Sequence, residues 1–383
     1  MKNFLFISNG LGEDSITLSV IRALLRLEPK ASVFALPIVG SGVSYESVDC
    51  VILGPRTAMP SGGVIPGNPA NLARDVRSGL VSLTLSQIGV IREYSRKVDA
   101  VVTVGDVYPA ILAALFAKGA RRIMIATAKS DYVSPHNAFE RFVMRSFFER
   151  VFLRDEPTAA GLRDKGVSNA VWVGNAMMDC LEPEGVDFGV GDGGPLVAVL
   201  PGSRSSAFSD MPVIAGAVGI LSGKIGGRYA AVIPRTMDPA ALAKSAGWAF
   251  RPCSKGDCTG FVEGDGASIG VYFRGMPDLL RGCDVVIGQA GTANEQAAGL
   301  GKPVVAFDSF SDEKMGWYRK RQKGLLGDAV SVVKKDSSAV AGEVIAIMGD
   351  GERRRRMSEE GRKRLGPPGG AAAMARFVLD GAV

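Results

Sequence analysis

Histidine occurs once in the 383 residues, cysteine five times and tryptophan three times, and aromatic residues make up only 7% of the chain. The cysteines (Cys50, Cys180, Cys253, Cys258 and Cys283) are scattered and odd in number, so they form no disulfide framework, and a reducing cytosol is the simpler setting. Cys253 and Cys258 have no further Cys or His nearby to complete a tetrahedral set, so neither zinc nor any other metal is expected, and no organic cofactor either. Long apolar runs are also missing. The longest, Val107 to Ala117, has 11 residues, against the ~20 that a membrane span needs. Met1–Ile7 is too short for a signal-peptide core and runs into polar Ser8-Asn9, so it reads as a first strand. The expectation is a cytoplasmic chain. Charge of one sign is only slightly short: 45 Lys+Arg against 39 Asp+Glu leave a net +6. The most basic stretch, Glu352–Leu365, carries its own acids and no interleaved aromatics. It reads as a solvated helix, and no nucleic-acid partner is expected.

What is present is ordinary globular material, 46% hydrophobic and 22% charged, with 49 glycines that often fall where an apolar run ends. A chain of this length usually makes two domains. Strand-like and helix-like segments alternate throughout. Phe4–Ser8 precedes an amphipathic Ser15–Glu28, and the pattern continues through Ser32–Leu36, Cys50–Leu53, Ala100–Val104 with helical Pro109–Lys118, Arg122–Ala126, Val151–Leu153 and Val171–Val173. A Gly-, Pro- and acid-rich stretch lies between Glu182 and Pro195, after which the pattern restarts at Leu196–Leu200. It then runs through helix Met211–Leu221, Tyr229–Ile233, helix Pro239–Ala246, Ser268–Phe273, helix Pro277–Arg281, Val285–Ile287, helix Ala293–Leu300 and Val304–Phe307. The fold class is therefore α/β, with two doubly wound, Rossmann-like parallel sheets facing a cleft. The domain plan is 1–183, a linker at 184–195, 196–365, and a C-terminal helix at 366–383 packing back on the N-terminal domain.

Gly54–Lys97 interrupts the alternation. A Pro/Gly-rich stretch leads into helix-compatible Leu72–Lys97, whose apolar residues are fringed by Arg74, Arg77, Arg92, Arg96 and Lys97. Phe139–Arg150 is similar, with Phe139, Phe142, Val143 and Phe147 at helical spacing among Arg141, Arg145 and Arg150. These segments are either core helices or a peripheral contact with the inner face of the cell membrane, where basic residues would meet anionic lipid.

Three post-strand turns carry chemistry. Gly10-Leu-Gly12-Glu-Asp14-Ser15 opens the first helix with exposed amides; it lacks the third glycine of a dinucleotide fingerprint, and a plain capping turn competes. Leu200-Pro-Gly202-Ser203-Arg204 sets a guanidinium beside free amides, an arrangement suited to a pyrophosphate. Gln289-Ala-Gly291-Thr292-Ala293-Asn-Glu295-Gln296 ends a strand and starts a helix near Thr292 or Ala293, whose positive end can take a phosphate. Glu295 and Gln296, in its first turn, are candidates for ribose hydroxyls, although Glu295 could equally only cap the helix.

With Phe273-Arg274-Gly-Met276-Pro and Gly301-Lys-Pro-Val-Val added, these motifs resemble the donor half of GT-B glycosyltransferases. The resemblance is strongest to lipid-A-disaccharide synthases: Leu200–Arg204 matches their LPGSR, Gly12–Ser15 echoes the start of GEASGD, and Gly174-Asn-Ala-Met-Met-Asp179 echoes GHxMxD. The peptidoglycan N-acetylglucosaminyltransferases are more distantly similar. The likeness covers most of the chain and is densest at 196–308. It departs at Asn175, where the family has His, and at Gln296, where relatives carry a ribose-gripping carboxylate. What it implies is an inverting transfer of a sugar from a nucleotide diphosphate, UDP-linked, to a lipid-type or other acceptor, with no metal required. A sugar-nucleotide epimerase of the same fold and a non-catalytic nucleotide-sugar-binding regulator are the alternatives. In this reading Gly202, Ser203, Arg204, Gly291, Thr292 and Ala293 hold the diphosphate. Phe273 and Met276 pack against the base, whose edge meets main-chain groups near Arg274. Gly12 lines the site, and Asp106 and Glu13 are the catalytic candidates. Asp106 follows a buried strand at its carboxyl end in Gly105-Asp-Val-Tyr-Pro, a place similar to the family's IDAPDF; capping the next helix is its competing role. The lone His136, in Ser134-Pro-His-Asn, is a base or a loop hydrogen-bonder.

Overall fold

The computed structural model describes residues 2–39, 42–55, 76–77, 79–189, 193–253, 256–309 and 315–381. The Pro/Gly-rich start of the Gly54–Lys97 segment and the first part of Leu72–Lys97 lie mostly outside them. Two compact units form: Met1–Cys180 together with Pro367–Val383, and Leu181–Gly366.

The first unit contains β1 (Asn3–Asn9), α1 (Leu11–Leu27), β2 (Ser32–Val39), β3 (Val51–Ile52), α2 (Leu80–Tyr94), β4 (Ala100–Gly105), α3 (Val107–Phe116), β5 (Arg121–Ala126), α4 (Ala138–Phe147), β6 (Arg150–Leu153), α5 (Glu156–Asp164) and β7 (Ala170–Val171). Its sheet runs β3-β2-β1-β4-β5-β6-β7, with every described pairing parallel. The continuous apolar runs in β1 and β4 follow from that position: both faces of a central parallel strand are covered, and β4 is buried along its whole length.

The second unit contains β8 (Leu196–Leu200), α6 (Ser206–Ile225), β9 (Arg228–Val232), α7 (Pro239–Ser245), β10 (Ala249–Pro252), β11 (Cys258–Gly264), β12 (Ala267–Tyr272), α8 (Met276–Gly282), β13 (Val285–Gly288), α9 (Thr292–Gly299), β14 (Val304–Asp308), α10 (Trp317–Leu326), β15 (Val330–Lys334), α11 (Ser337–Gly349) and α12 (Gly351–Leu365). The sheet order is β10-β11-β12-β9-β8-β13-β14-β15. It corrects the purely parallel expectation: β10–β11 and β11–β12 are antiparallel, forming a meander on one edge. The second correction concerns the helix after Arg204. It begins at Ser206, well before Met211, because Pro212 lies inside the helix instead of marking its first turn. At 20 residues, α6 is by length and composition long and apolar enough to cross a membrane. Its Ile214, Val218 and Leu221 are instead fully buried in this unit's core.

Residues 184–189 pack on the second unit. Glu184 accepts the Gly275 amide at 2.9 Å, and the Phe188 and Tyr272 rings lie 4.5 Å apart. The chain closes with α13 (Gly370–Asp380), which belongs to the first unit. Gly174-Asn-Ala-Met-Met-Asp179 is its cradle. Asp179 accepts the Gly369 and Ala371 amides at 2.6 and 2.8 Å, and the Asn175 amide donates to Pro367 at 2.9 Å. Gly174, at φ +100°, has the Gly370 nitrogen 3.0 Å from where a Cβ would stand, so a side chain there would meet backbone. Phe377 is buried edge-on against Phe152.

Candidate functional site

Each sheet has one place where the strand order reverses, and the doubly wound rule puts ligands there, beyond the carboxyl ends of the strands. In the first unit it lies between β1 and β4, whose following turns carry Glu13 and Asp106. In the second it lies between β8 and β13, followed by Pro201–Ser205 and Gln289–Gly291.

At the first switch point the backbone is glycine-dependent. Gly10 and Gly105 sit at φ +127° and +129°, where a Cβ would come within 2.9 Å of Glu13 Oε2 and 3.2 Å of Glu13 Cγ respectively. Glu13 is thus packed over both turns, with Gly12 beside it in the first turn of α1. Asp106 caps α3, its Oδ1 accepting the Tyr108 amide at 2.8 Å. Burial raises its pKa, while hydrogen bonds from the Tyr108 amide and the Asn9 side chain oppose the rise; nearby Glu140 adds to it and Lys129 subtracts. The capping role is therefore real, and the carboxyl is also a desolvated group at a switch point.

Beneath the first turn lies a buried trio. Ser8 donates to Asp14 at 2.5 Å, and the Tyr45 hydroxyl reaches Ser8 and Asp14 at 2.7 and 3.2 Å. Asp14 is fully buried, and burial raises its pKa against those two hydrogen bonds. Near Asp106 is a second cluster. Glu140 binds Lys129 at 2.8 Å and His136 Nδ1 at 3.2 Å and completes the capping box of α4 with Asn137. Burial alone would raise the Glu140 carboxyl, but His136, Lys129 and the Asn137 amide hold it at about 2. His136 is 6% exposed and its Nε2 is buried without a hydrogen-bond partner. The loop hydrogen bond is what the structure shows for it.

The second switch point is braced from below. Gln289 donates its backbone N–H to Leu200 O at 2.7 Å and its Nε2 to Phe307 O at 3.1 Å, while Gly202 at φ +95° would put a Cβ 3.5 Å from Gln289 O. Asn294, fully buried, donates to Gly288 O at 2.9 Å; Gln322 donates to Ala290 O at 3.0 Å and accepts from Arg319 at 2.6 Å. The turn ahead of α9 is thereby fixed in place before any ligand arrives. Arg204 and Ser203 are exposed just before α6, Thr292 is exposed at the start of α9, and Ala293, Glu295 and Gln296 are half-buried in its first turns. A Cβ on Gly291 would come within 2.6 Å of the Tyr318 hydroxyl. Burial raises that phenol's pKa, with Arg319 opposing, Glu295 adding and Arg204 opposing, so Arg204 and Glu295 both act on the same spot. A cavity of about 170 Å³ opens beside it, lined by Asp210, Gln289, Asp308, Tyr318, Arg319 and Lys335.

Phe273, Arg274 and Met276 follow β12, which lies two strands from β8 in the sheet order. Phe273 packs partly on the unit's core, with the Arg235 guanidinium 5.6 Å from its ring. The Arg274 guanidinium is engaged by Asp257 at 3.0 Å and Glu184 O at 2.6 Å. Met276 opens α8. Sequence reasoning missed Tyr318, Arg319, Gln322 and Arg235, and Lys129 and Glu140 in the first unit. Glu140 had a local signal, the Asn137-x-x-Glu140 capping box; Lys129, Gln322 and Arg319 act through residues more distant in the chain, at Glu140, Ala290 and Phe307.

The chain matches no protein-family model and no curated protein. Among solved structures it is similar over 99% of its length to a UDP-GlcNAc 2-epimerase from Neisseria meningitidis bound to UDP-GlcNAc (13% identity, TM-score 0.58, 99% of that chain). MurG from Acinetobacter baumannii gives 12% identity and TM-score 0.58, over 99% of both chains. The spinosyn rhamnosyltransferase SpnG, complexed with thymidine diphosphate, gives 13% identity and TM-score 0.59, covering 99% of this chain and 100% of its own. The fold is GT-B.

Proposed function

We propose that this protein is an inverting glycosyltransferase that takes its sugar from a nucleoside diphosphate, UDP in the first instance. The carrying observation is the second unit's switch point, where the Gly202–Arg204 turn and the start of α9 follow adjacent strands and present amides and a guanidinium to one place. Neighbours of the same fold bind UDP-GlcNAc or thymidine diphosphate, which supports a nucleotide-sugar donor. In this reading Arg204 and the Gly291–Ala293 amides take the negative charge as the diphosphate departs with the electron pair of the glycosidic bond. Asp106 receives the proton of the acceptor hydroxyl as its oxygen attacks the anomeric carbon, with Glu13 beside it. The Leu200–Arg204 motif supports a relation to lipid-A-disaccharide synthases and hence a lipid-type acceptor.

A second reading, sugar-nucleotide epimerase, has its own support. Lys129 and Glu140 act electrostatically on Asp106, and Glu140 also binds His136 at 3.2 Å, which gives the first unit more acid–base groups than a lone histidine suggested. Incubation with a panel of UDP- and GDP-sugars separates the readings. Release of the nucleoside diphosphate supports transfer, isomerisation without release supports the epimerase, and binding with neither leaves a regulator.

The membrane contact belongs to the same proposal. Val81 and Leu85 on α2, Leu115 on α3, and Phe139 and Phe142 on α4 are between 47% and 63% exposed, near Arg92, Arg141 and Arg145. Co-flotation with anionic vesicles at low salt, released at high salt, is the expected result; no co-flotation at low salt removes the idea.

A further inference from the structure

A second cavity, of about 270 Å³, opens at the amino-terminal ends of the second unit's strands, where Asp284 precedes β13 and Pro303 precedes β14. Lys302, Arg354, Arg355 and Ser358 line it. Its acid lining is Asp284 alone, and one oxygen of that carboxylate already accepts the Leu196 amide at 2.9 Å.

Three other arginines of α12 are paired with acids. Arg353 meets Glu343, Arg356 meets Glu352 at 3.8 Å and Arg364 meets Glu360 at 2.7 Å. Among the described residues, Lys302, Arg354 and Arg355 have no carboxylate within 4 Å. The Arg354 Nε is also buried without a hydrogen-bond partner. Three like charges lining one cavity repel one another, and a bound dianion relieves that repulsion. The helix end does not explain the site, since Asp350 already caps α12 through the Arg353 amide at 2.9 Å.

The cavity walls are fixed. Gly301, at φ +80°, sits so close to Ser358 and Arg362 that a side chain would collide with both, and Gly361 lies against Ala298 O in the same way. The turn that carries Lys302 is therefore seated against α12, through the Gly361–Ala298 backbone approach and the close packing of Gly301 on Ser358 and Arg362.

We infer that this cavity binds the phosphoryl group of a small phosphorylated molecule, at a site separate from the donor turns. Guanidinium groups match phosphate geometry bidentately, and Ser358 Oγ adds a neutral donor or acceptor. The inference stands whether or not the donor site is correctly read.

Pyrophosphate serves as the probe, titrated calorimetrically into the full chain. Arg204→Ala is the background, because it weakens the donor turn. This variant is expected to keep one pyrophosphate site, and adding Arg354→Gln with Arg355→Gln is expected to weaken that site at least ~10-fold. Lys302→Gln, a milder change on the opposite wall, should weaken it in the same direction should the double variant misfold. A folded Arg204→Ala protein that binds no pyrophosphate, or affinities unchanged by the cavity substitutions, would overturn the assignment.

Discussion

In the proposed mechanism Asp106 has two duties on one carboxylate, capping α3 and accepting a proton. As the cap of α3 it contributes ~1 kcal/mol of stability, a role asparagine performs nearly as well. As a base it must accept a proton, which asparagine cannot do. Asp106→Asn is therefore expected to leave the thermal midpoint almost unchanged while transfer falls by ~10²–10⁴. Turnover close to that of the native protein would return Asp106 to a purely structural role. Burial sets the sign of the pH effect. Because desolvation raises this carboxyl above its usual 3.8, the acid limb of the rate profile should lie above the ordinary Asp range.

At the scale of elements, strands and helices with an apolar period were legible, and so were the turns between them. β1, β4, β8, β13 and α9 each end or begin at a glycine-bearing turn readable in the sequence. Strands β10 and β11 were not legible, because both are partly exposed, with Arg251 reaching diagonally across the pair to Glu263. One signal for the β11–β12 hairpin existed: Asp265-Gly266, both at positive φ (51° and 72°), is the two-residue turn that favours a tight hairpin. The brace under the donor turn was invisible for a different reason. Asn294 and Gln322 are 28 residues apart and meet only through tertiary packing. Gly174–Asp179 was legible as a motif but its work was not: it holds the N-terminal end of α13. Asp179→Ala removes acceptors for two backbone amides, so a loss of about 1–3 kcal/mol is expected in chemical denaturation. An unchanged midpoint would show that α13 docks without this contact.

For the whole molecule, one rule places both candidate sites. Two doubly wound sheets have two order reversals, and the residues singled out for acid–base chemistry and for the diphosphate stand at one reversal each. The fold is shared by enzymes that transfer sugars and enzymes that isomerise them, so the reaction rests on side chains and the donor site is common ground. That site is the central claim, and calorimetric titration of UDP into the native chain and into Arg204→Ala tests it most directly. Binding by the native protein, weakened in the variant by roughly 1.5–3 kcal/mol as for a lost hydrogen bond to a charged group, is the predicted result. Failure of the native chain to bind UDP, or an affinity indifferent to Arg204, would contradict it.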